Sequence, residues 1–306
     1  MVPISRKKPI FTRLDAVIFL AVTATVFYIG YRITVGLHYQ WNWATIPQYL
    51  FRRDADTGGW VPNLLMQGLF TTIRLSIWAT LLATVLGTTA GFFRISSSLF
   101  KRLLGRAFVE LVRNTPPLVL IFIFYFFVSD QIMPILGVDD FARNASESTQ
   151  QILTFFFAPP RFFAAFISAT LTVAVFEAAY IAEIVRSGIQ SIETGQFEAA
   201  HALGLSWRQK MQHVILPQAL QRILPPLAGQ FISTIKDSAI VSVISIPELC
   251  FQGMELMAAT YLTFECWITI TVMYLLLTLS LALAVERLEI RLKRRGGSSG
   301  PPGSVR

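Results

Sequence analysis

Six stretches of this chain carry long apolar runs, and five of them comfortably reach the roughly 20 residues that a helix needs to cross a bilayer. Lipid offers no hydrogen bonds to a bare backbone, so such runs must be helices whose amides and carbonyls pair internally. This constraint predicts an all-α, multi-pass membrane protein with about six spans, and it leaves little room for a water-facing globule. Composition agrees: 54% of residues are hydrophobic and 14% charged, against about 25% charged in an ordinary soluble domain.

The first run covers about Leu14 to Tyr31, after Arg6, Lys7, Lys8 and Arg13. A basic start is shared with signal peptides. Here Tyr28, Tyr31 and Arg32 follow without a small-x-small cleavage site, so an uncleaved helix is expected. The second run, about Leu64 to Phe93, contains Gly68, Gly87 and Gly91, which would allow close helix contact. The third is about Ala107 to Val128, the fourth about Phe162 to Val185, and the last about Trp267 to Val285. The fifth is interrupted. A helix from about Gln218 to Ile235 should bend through Lys236, Asp237 and Ser238 into a short segment near Glu248 and Glu255, because broken backbone at membrane depth needs cover from protein or water.

Charge sets the expected orientation. Arg94, Lys101, Arg102 and Arg106 follow the second run, and Arg287, Arg291, Lys293, Arg294 and Arg295 follow the last; cation-rich loops stay in the cytoplasm. Asp130, Asp139, Asp140 and Glu147 make an acidic connection that should face outward. Both termini are then cytoplasmic. The expected layout is a first helix and outward connection over 1–60, a transmembrane domain over 61–290, and a flexible cytoplasmic tail over 291–306. The net charge of +8 sits at helix ends rather than in a stripe with stacking aromatics, which argues against nucleic acid. Cys250 and Cys266 lie in or beside apolar runs and read as small buried residues.

The chemistry of an enzyme is missing from the letters. None of the six lysines follows a glycine, so a Gly-Lys-Ser/Thr phosphate loop cannot form. His201 and His213 are twelve apart, not at the four-residue spacing of a helical zinc pair, and with His38 they read as solvated loop residues.

One polar insert stands out, QFEAAHALGLSWRQKMQHVILPQAL at 196–220. Thr194 can cap a short helix from about Gln196, with Glu198 in its first turn near the positive end of the backbone dipole. Gly204 supplies a left-handed stop. Ser206 and Gln209 form a capping box for a second helix, which Pro217 delays or bends. A two-turn helix is unstable alone in water, and Ala199 and Ala200 leave it slim enough to enter another protein's cleft.

Glu198-Ala199-Ala200, three residues, Gly204, nine residues, Val214, one residue and Leu216-Pro217 resemble the EAA loop of bacterial ATP-binding-cassette (ABC) importer permeases, with Val214 where Ile is common. GLFTTIRLS at 68–76, ELVRNTPPLVLIFIFYF at 110–126, AAYIAEIVRSGIQSI at 178–192 and KDSAIVSVISIPEL at 236–249 are similar to the polar-amino-acid branch of that family. The resemblance implies a five-helix type I permease core plus an N-terminal helix. It also implies a coupling loop at about 193–217 that docks on an ATPase through Gln196, Glu198, Ala199, Ala200, Gly204, Leu216 and Pro217. ATP and Mg would be used by a separate ATPase dimer, with no cofactor on this chain. The other implied partners are a second permease subunit, an external binding protein and a polar amino-acid substrate, in the bacterial cytoplasmic membrane. An ion-coupled carrier or channel without an ATPase is the alternative.

Inside the membrane, Glu177 in the fourth run costs about 2.5–3.5 kcal/mol if ionised and unpaired, so it either faces a pathway or pairs with a cation such as Arg74. Glu183 with Arg186, and Glu110 with Arg113, read as intrahelical ion pairs. Lys236, Asp237 and Ser238 would line an outer gate or staple the bend. Asn114 and Thr115, before Pro116-Pro117, mark a kink early in the third helix whose freed carbonyls could face a pore.

Overall fold

The computed structural model describes residues 13–36, 39–55 and 58–296. His38, the cations Arg6 to Lys8 and the last ten residues of the tail lie outside them. Packing divides the chain between Trp43 and Ala44. Among the described residues the first unit holds one long helix, α1 (Arg13–Gly36), with Trp41 and Trp43 stacked at 6.0 Å beyond it.

In the second unit, a short helix α2 (Ile46–Leu50) leads into an otherwise unexpected antiparallel hairpin of β1 (Phe51–Arg53) and β2 (Trp60–Pro62). The helical body follows, with α3 (Leu64–Arg94), α4 (Leu99–Asn114) and α5 (Pro117–Phe127). A π-turn at Val128–Ile132 continues α5 into α6 (Met133–Ile135); α7 (Val138–Asn144) and α8 (Glu147–Phe156) come next. The long α9 (Phe163–Gln190) precedes α10 (Thr194–Ala202), α11 (Trp207–Lys210) and α12 (Leu216–Asp237). A 3₁₀ segment, Ser238–Ile244, then α13 (Leu249–Thr260) and α14 (Thr263–Gly296) complete it. Six helical stretches among the described residues are long and apolar enough to cross a membrane.

The core of this unit is the contact of α3 with α9. On α3, Ala79, Ala83, Gly87 and Gly91 recur every four residues and are buried; on α9, Ala174, Ala178 and Ala182 do the same. Four-residue spacing puts them on one face, and in lipid such small-residue faces bring backbones together by van der Waals contact. A β-carbon on Gly91 would lie 2.9 Å from the Val185 β-carbon, and one on Gly68 2.9 Å from the Leu249 α-carbon. The three glycines of the second run are therefore close-approach positions.

The third run is not one helix from Ala107 to Val128. It stops at Asn114, and the span proper is Pro117–Ile135. Thr115 and Pro116 are extended at ψ 138° and 130°, because a residue before proline is pushed out of the α region and here two such residues are consecutive. A break replaces the expected kink. The acidic connection is not a plain loop either: Asp139 and Asp140 open α7 and Glu147 opens α8, where carboxylates meet the positive ends of the helices. The fifth run bends where expected, since α12 changes at Ser238 into the 3₁₀ segment. The last helix continues through residues 291–296, which were expected to be tail.

Candidate functional site

The polar insert folds as helix, turn, helix, with small revisions. Glu193 is the boundary residue and Thr194 the first helical one, with no side-chain cap, so α10 starts two residues before Gln196 and Glu198 falls beyond the first turn. The other end is as expected. Gly204 has φ 71°, its N–H bonds the His201 carbonyl at 2.9 Å, and the Leu205 N–H bonds the Ala200 carbonyl at 3.2 Å. These two bonds close the helix in a Schellman motif. Ser206 and Gln209 form the capping box of α11. Pro217 has no N–H for the His213 carbonyl, and the backbone before it widens to a π-turn over Met211–Ile215 before Leu216-Pro217 open α12.

The chain anchors this loop from beneath. Phe197 packs against the cluster of Ile192, Met211 and Ile215. Gln218 Nε2 donates to Gln196 Oε1 at 3.3 Å and to the Val214 carbonyl at 2.8 Å. Ala200 is buried while Ala199 and Glu198 are exposed, so only half of the expected slim alanine face is free. Leu203 and Trp207, 78% and 65% exposed, flank Gly204 instead. Sequence reading passed over both; large apolar side chains beside a glycine stop were the available signal.

The intramembrane residues assort differently. Glu177 is fully buried on α9 and does not meet Arg74; its Oε2 accepts from Gln230 Nε2 of α12 at 2.6 Å, while Oε1 has no hydrogen-bond partner among the described residues. Asp237 and Thr234 lie within reach of the same carboxyl. Lys236 and Asp237 are exposed at the end of α12. Ser238 is buried and donates to the Ile235 carbonyl at 2.8 Å. Asn114 donates to the Glu110 carbonyl and carboxylate at 2.9 and 3.0 Å, and Thr115 to the Leu111 carbonyl at 2.7 Å. Both fold back on their own helix. Arg113 does not pair with Glu110 but lies over the Tyr180 ring, 5.5 Å from its centre, where the ring face attracts a cation.

Two polar joints were not foreseen. Glu183 pairs with Arg186, as expected, but also with Arg94 of α3, tying the C-terminal ends of α3 and α9 together. Glu248 is fully buried at the start of α13, where it accepts the Phe251 N–H at 2.8 Å, the Tyr274 hydroxyl of α14 at 2.9 Å and the Thr72 hydroxyl of α3 at 3.3 Å. Thr72 in turn accepts the Leu249 N–H at 3.2 Å. One carboxylate therefore holds three elements. Glu248→Ala should cost about 2 kcal/mol or more, because donors left unpaired in a buried site each carry a penalty of about 1–3 kcal/mol. Glu248→Gln, which keeps an acceptor for Phe251, should cost less; equal unfolding midpoints for Glu248→Ala and wild type would count against this joint.

Comparison with known proteins places this architecture. Residues 83–294 match the family described as "Binding-protein-dependent transport system inner membrane component". The chain is 32% identical over 234 residues to a Bacillus subtilis (strain 168) protein named "Probable glutamine ABC transporter permease protein GlnM", covering 76% of this chain and 94% of that one. It is 34% identical over 230 residues to "Glutamine transport system permease protein GlnP" of Escherichia coli (strain K12), covering 75% and 93%. Among solved structures, a chain of an "amino acid ABC transporter with histidines" superposes with a TM-score of 0.60 at 31% identity, covering 74% of this chain and 94% of that one. The apolar helices, the glycine-stopped loop and these likenesses converge: the chain belongs to the binding-protein-dependent transport system inner membrane components, as an ABC transporter permease subunit that crosses the cytoplasmic membrane several times.

Proposed function

We propose that this permease forms the pathway of an ATP-driven importer for polar amino acids, glutamine first among them, and that residues 193–217 are its dock for the ATPase. The observation that carries the reading is the loop itself. A nine-residue helix ends in a left-handed glycine, and the loop carries two exposed apolar side chains, Leu203 just before that glycine and Trp207 at the start of α11, together with exposed Glu198 and Ala199. Apolar surface of this kind at a loop tip is what a partner covers. The names of the similar permeases support glutamine as cargo.

ATP with Mg is bound and hydrolysed on a separate ATPase dimer. Its closure moves the loop through Gln196, Glu198, Ala199, Gly204, Leu216 and Pro217, and the buried Ala200 and half-buried Phe197 pass that motion to α12. An external binding protein delivers the amino acid while the membrane helices face outward, and a second permease subunit, identical or related, completes the pathway. Both termini lie in the cytoplasm. Lys236 and Asp237, exposed at the end of α12, line the outer gate. Glu177 holds that helix through Gln230, and Ser238, Asn114 and Thr115 shape backbone rather than touch cargo.

Proteoliposomes containing the chain, its ATPase and its binding protein should take up glutamine only with ATP inside. Uptake should vanish when any one component is withheld. Transport by the purified chain alone would overturn the importer reading in favour of an ion-coupled carrier or channel.

A further inference from the structure

Arg74 sits on α3, within an apolar span, with no anionic partner among the described residues. Its Nε donates to the Phe70 carbonyl at 3.2 Å, its Nη1 to the Thr154 carbonyl and to the Phe155 carbonyl at 3.5 Å, and its Nη2 approaches Thr71 Oγ1 at 3.5 Å. The three ion pairs among the described residues do not include it. Neutral carbonyls orient a guanidinium but do not cancel its charge, and an uncompensated cation in a span is costly. No described residue of this chain supplies its counter-ion.

The surroundings restrict what that anion can be. Arg74 lines a cavity of about 1070 Å³ between α3 and α8. Phe70, Ile77, Phe155 and Phe156 border it and are themselves exposed. Trp78 closes one side, its indole N–H bonded to the Phe156 carbonyl at 2.9 Å and its ring stacked on Phe157 at 4.7 Å. Gln150, Gln151 and Thr154 also line the trench, but most of its wall is apolar, so it offers a small hydrated anion only Arg74 to hold it, whereas acyl chains fill the rest. Glu147 stands at the rim, exposed and beyond ion-pair distance of Arg74.

The direction of the side chain fits a lipid headgroup. Helical side chains lean toward the N-terminal end of their helix, and the bonds to Phe70 and Thr71 place the guanidinium over the preceding turn. Arg74 thus reaches toward the bilayer surface while its stem lies along apolar neighbours, as membrane arginines do. Ile77 and Trp78, a turn further along α3, lie on the side where the acyl chains would run. We propose that the trench between α3 and α8 binds one anionic phospholipid, its phosphate on Arg74 and its chains along Ile77, Trp78, Phe155 and Phe156.

The test uses the full chain with whatever subunits co-purify, exchanged into nanodiscs holding equal phosphatidylglycerol and phosphatidylcholine, with lipids retained after detergent release counted by native mass spectrometry. Wild type should retain phosphatidylglycerol over phosphatidylcholine by about fivefold, the worth of one cation at an anionic headgroup. Arg74→Gln should remove the preference, Arg74→Lys should keep most of it, and Ile77→Trp, which fills the trench, should lower retention of both lipids. No preference in wild type would overturn the proposal. So would unchanged preference in a folded Arg74→Gln, displacement of the lipid by millimolar inorganic phosphate, or crosslinking of Ile77→Cys to a second protein chain. If Arg74→Gln does not stay monodisperse, the wild-type preference and Ile77→Trp decide.

Discussion

Replacing Gly204 by valine is expected to cut recovery of the ATPase subunit by about tenfold while leaving the chain folded. The residue has φ 71°, and an L-residue with a β-carbon pays about 1–2 kcal/mol in the left-handed region, a β-branched one at the upper end. A difference of about 1.4 kcal/mol is tenfold in an equilibrium constant. A β-carbon at this position would meet nothing within 4 Å, so no collision with the rest of the chain adds to the cost. The strain falls on the helix end alone, and the loop escapes by giving up the bonds that Gly204 and Leu205 donate to His201 and Ala200. Leu203 and Trp207 then leave their places on the exposed face. Asparagine tolerates this conformation, so Gly204→Asn should recover far more ATPase than Gly204→Val. Equal pull-down by valine and wild type would show that the loop is not the dock. A valine variant that fails to fold would show that the loop is not independent of the core.

The elements whose cause is local were legible. The spans follow from run length and the loop from its caps, since Gly204, Ser206 and Gln209 act on neighbours within a few residues. Hydropathy misjudged the third run because it averages over Pro116 and Pro117, whose effect on Thr115 and on each other is steric. The polar joints were hidden for another reason. Thr72 and Glu248 are separated by 176 residues, and Glu177 and Gln230 by 53, so nothing in their immediate sequence marks a partner. An ionisable residue in a span announces that it needs one; only the packing says which. Arg74 is one cation that Glu177 could meet, but the fold gives each a different neighbour. Even Ala199 and Ala200, adjacent and alike, separate by exposure because a helix turns about 100° between them.

The largest loss of stability is expected at Gly87. A β-carbon there would lie 2.7 Å from the Ala178 carbonyl oxygen and 2.7 Å from the Ile181 β-carbon, both fixed to the backbone of α9, so neither can swing aside. Gly87→Ala should cost about 1–3 kcal/mol, the usual range for overpacking a closely fitted contact. Gly87→Leu should yield no monodisperse protein, because α3 and α9 would have to separate along the face formed by Ala79, Ala83 and Gly91. Water offers no compensating push in lipid, where helix association depends on the contact itself. Gly253 is the control. A β-carbon there also overlaps a neighbour, but that neighbour is the terminal methyl of Ile270, which can rotate away, so Gly253→Ala should unfold closer to wild type than Gly87→Ala. Thermal unfolding of the purified chain in detergent distinguishes the two. Should Gly87→Leu melt like wild type, the α3–α9 contact would not be what holds this fold together.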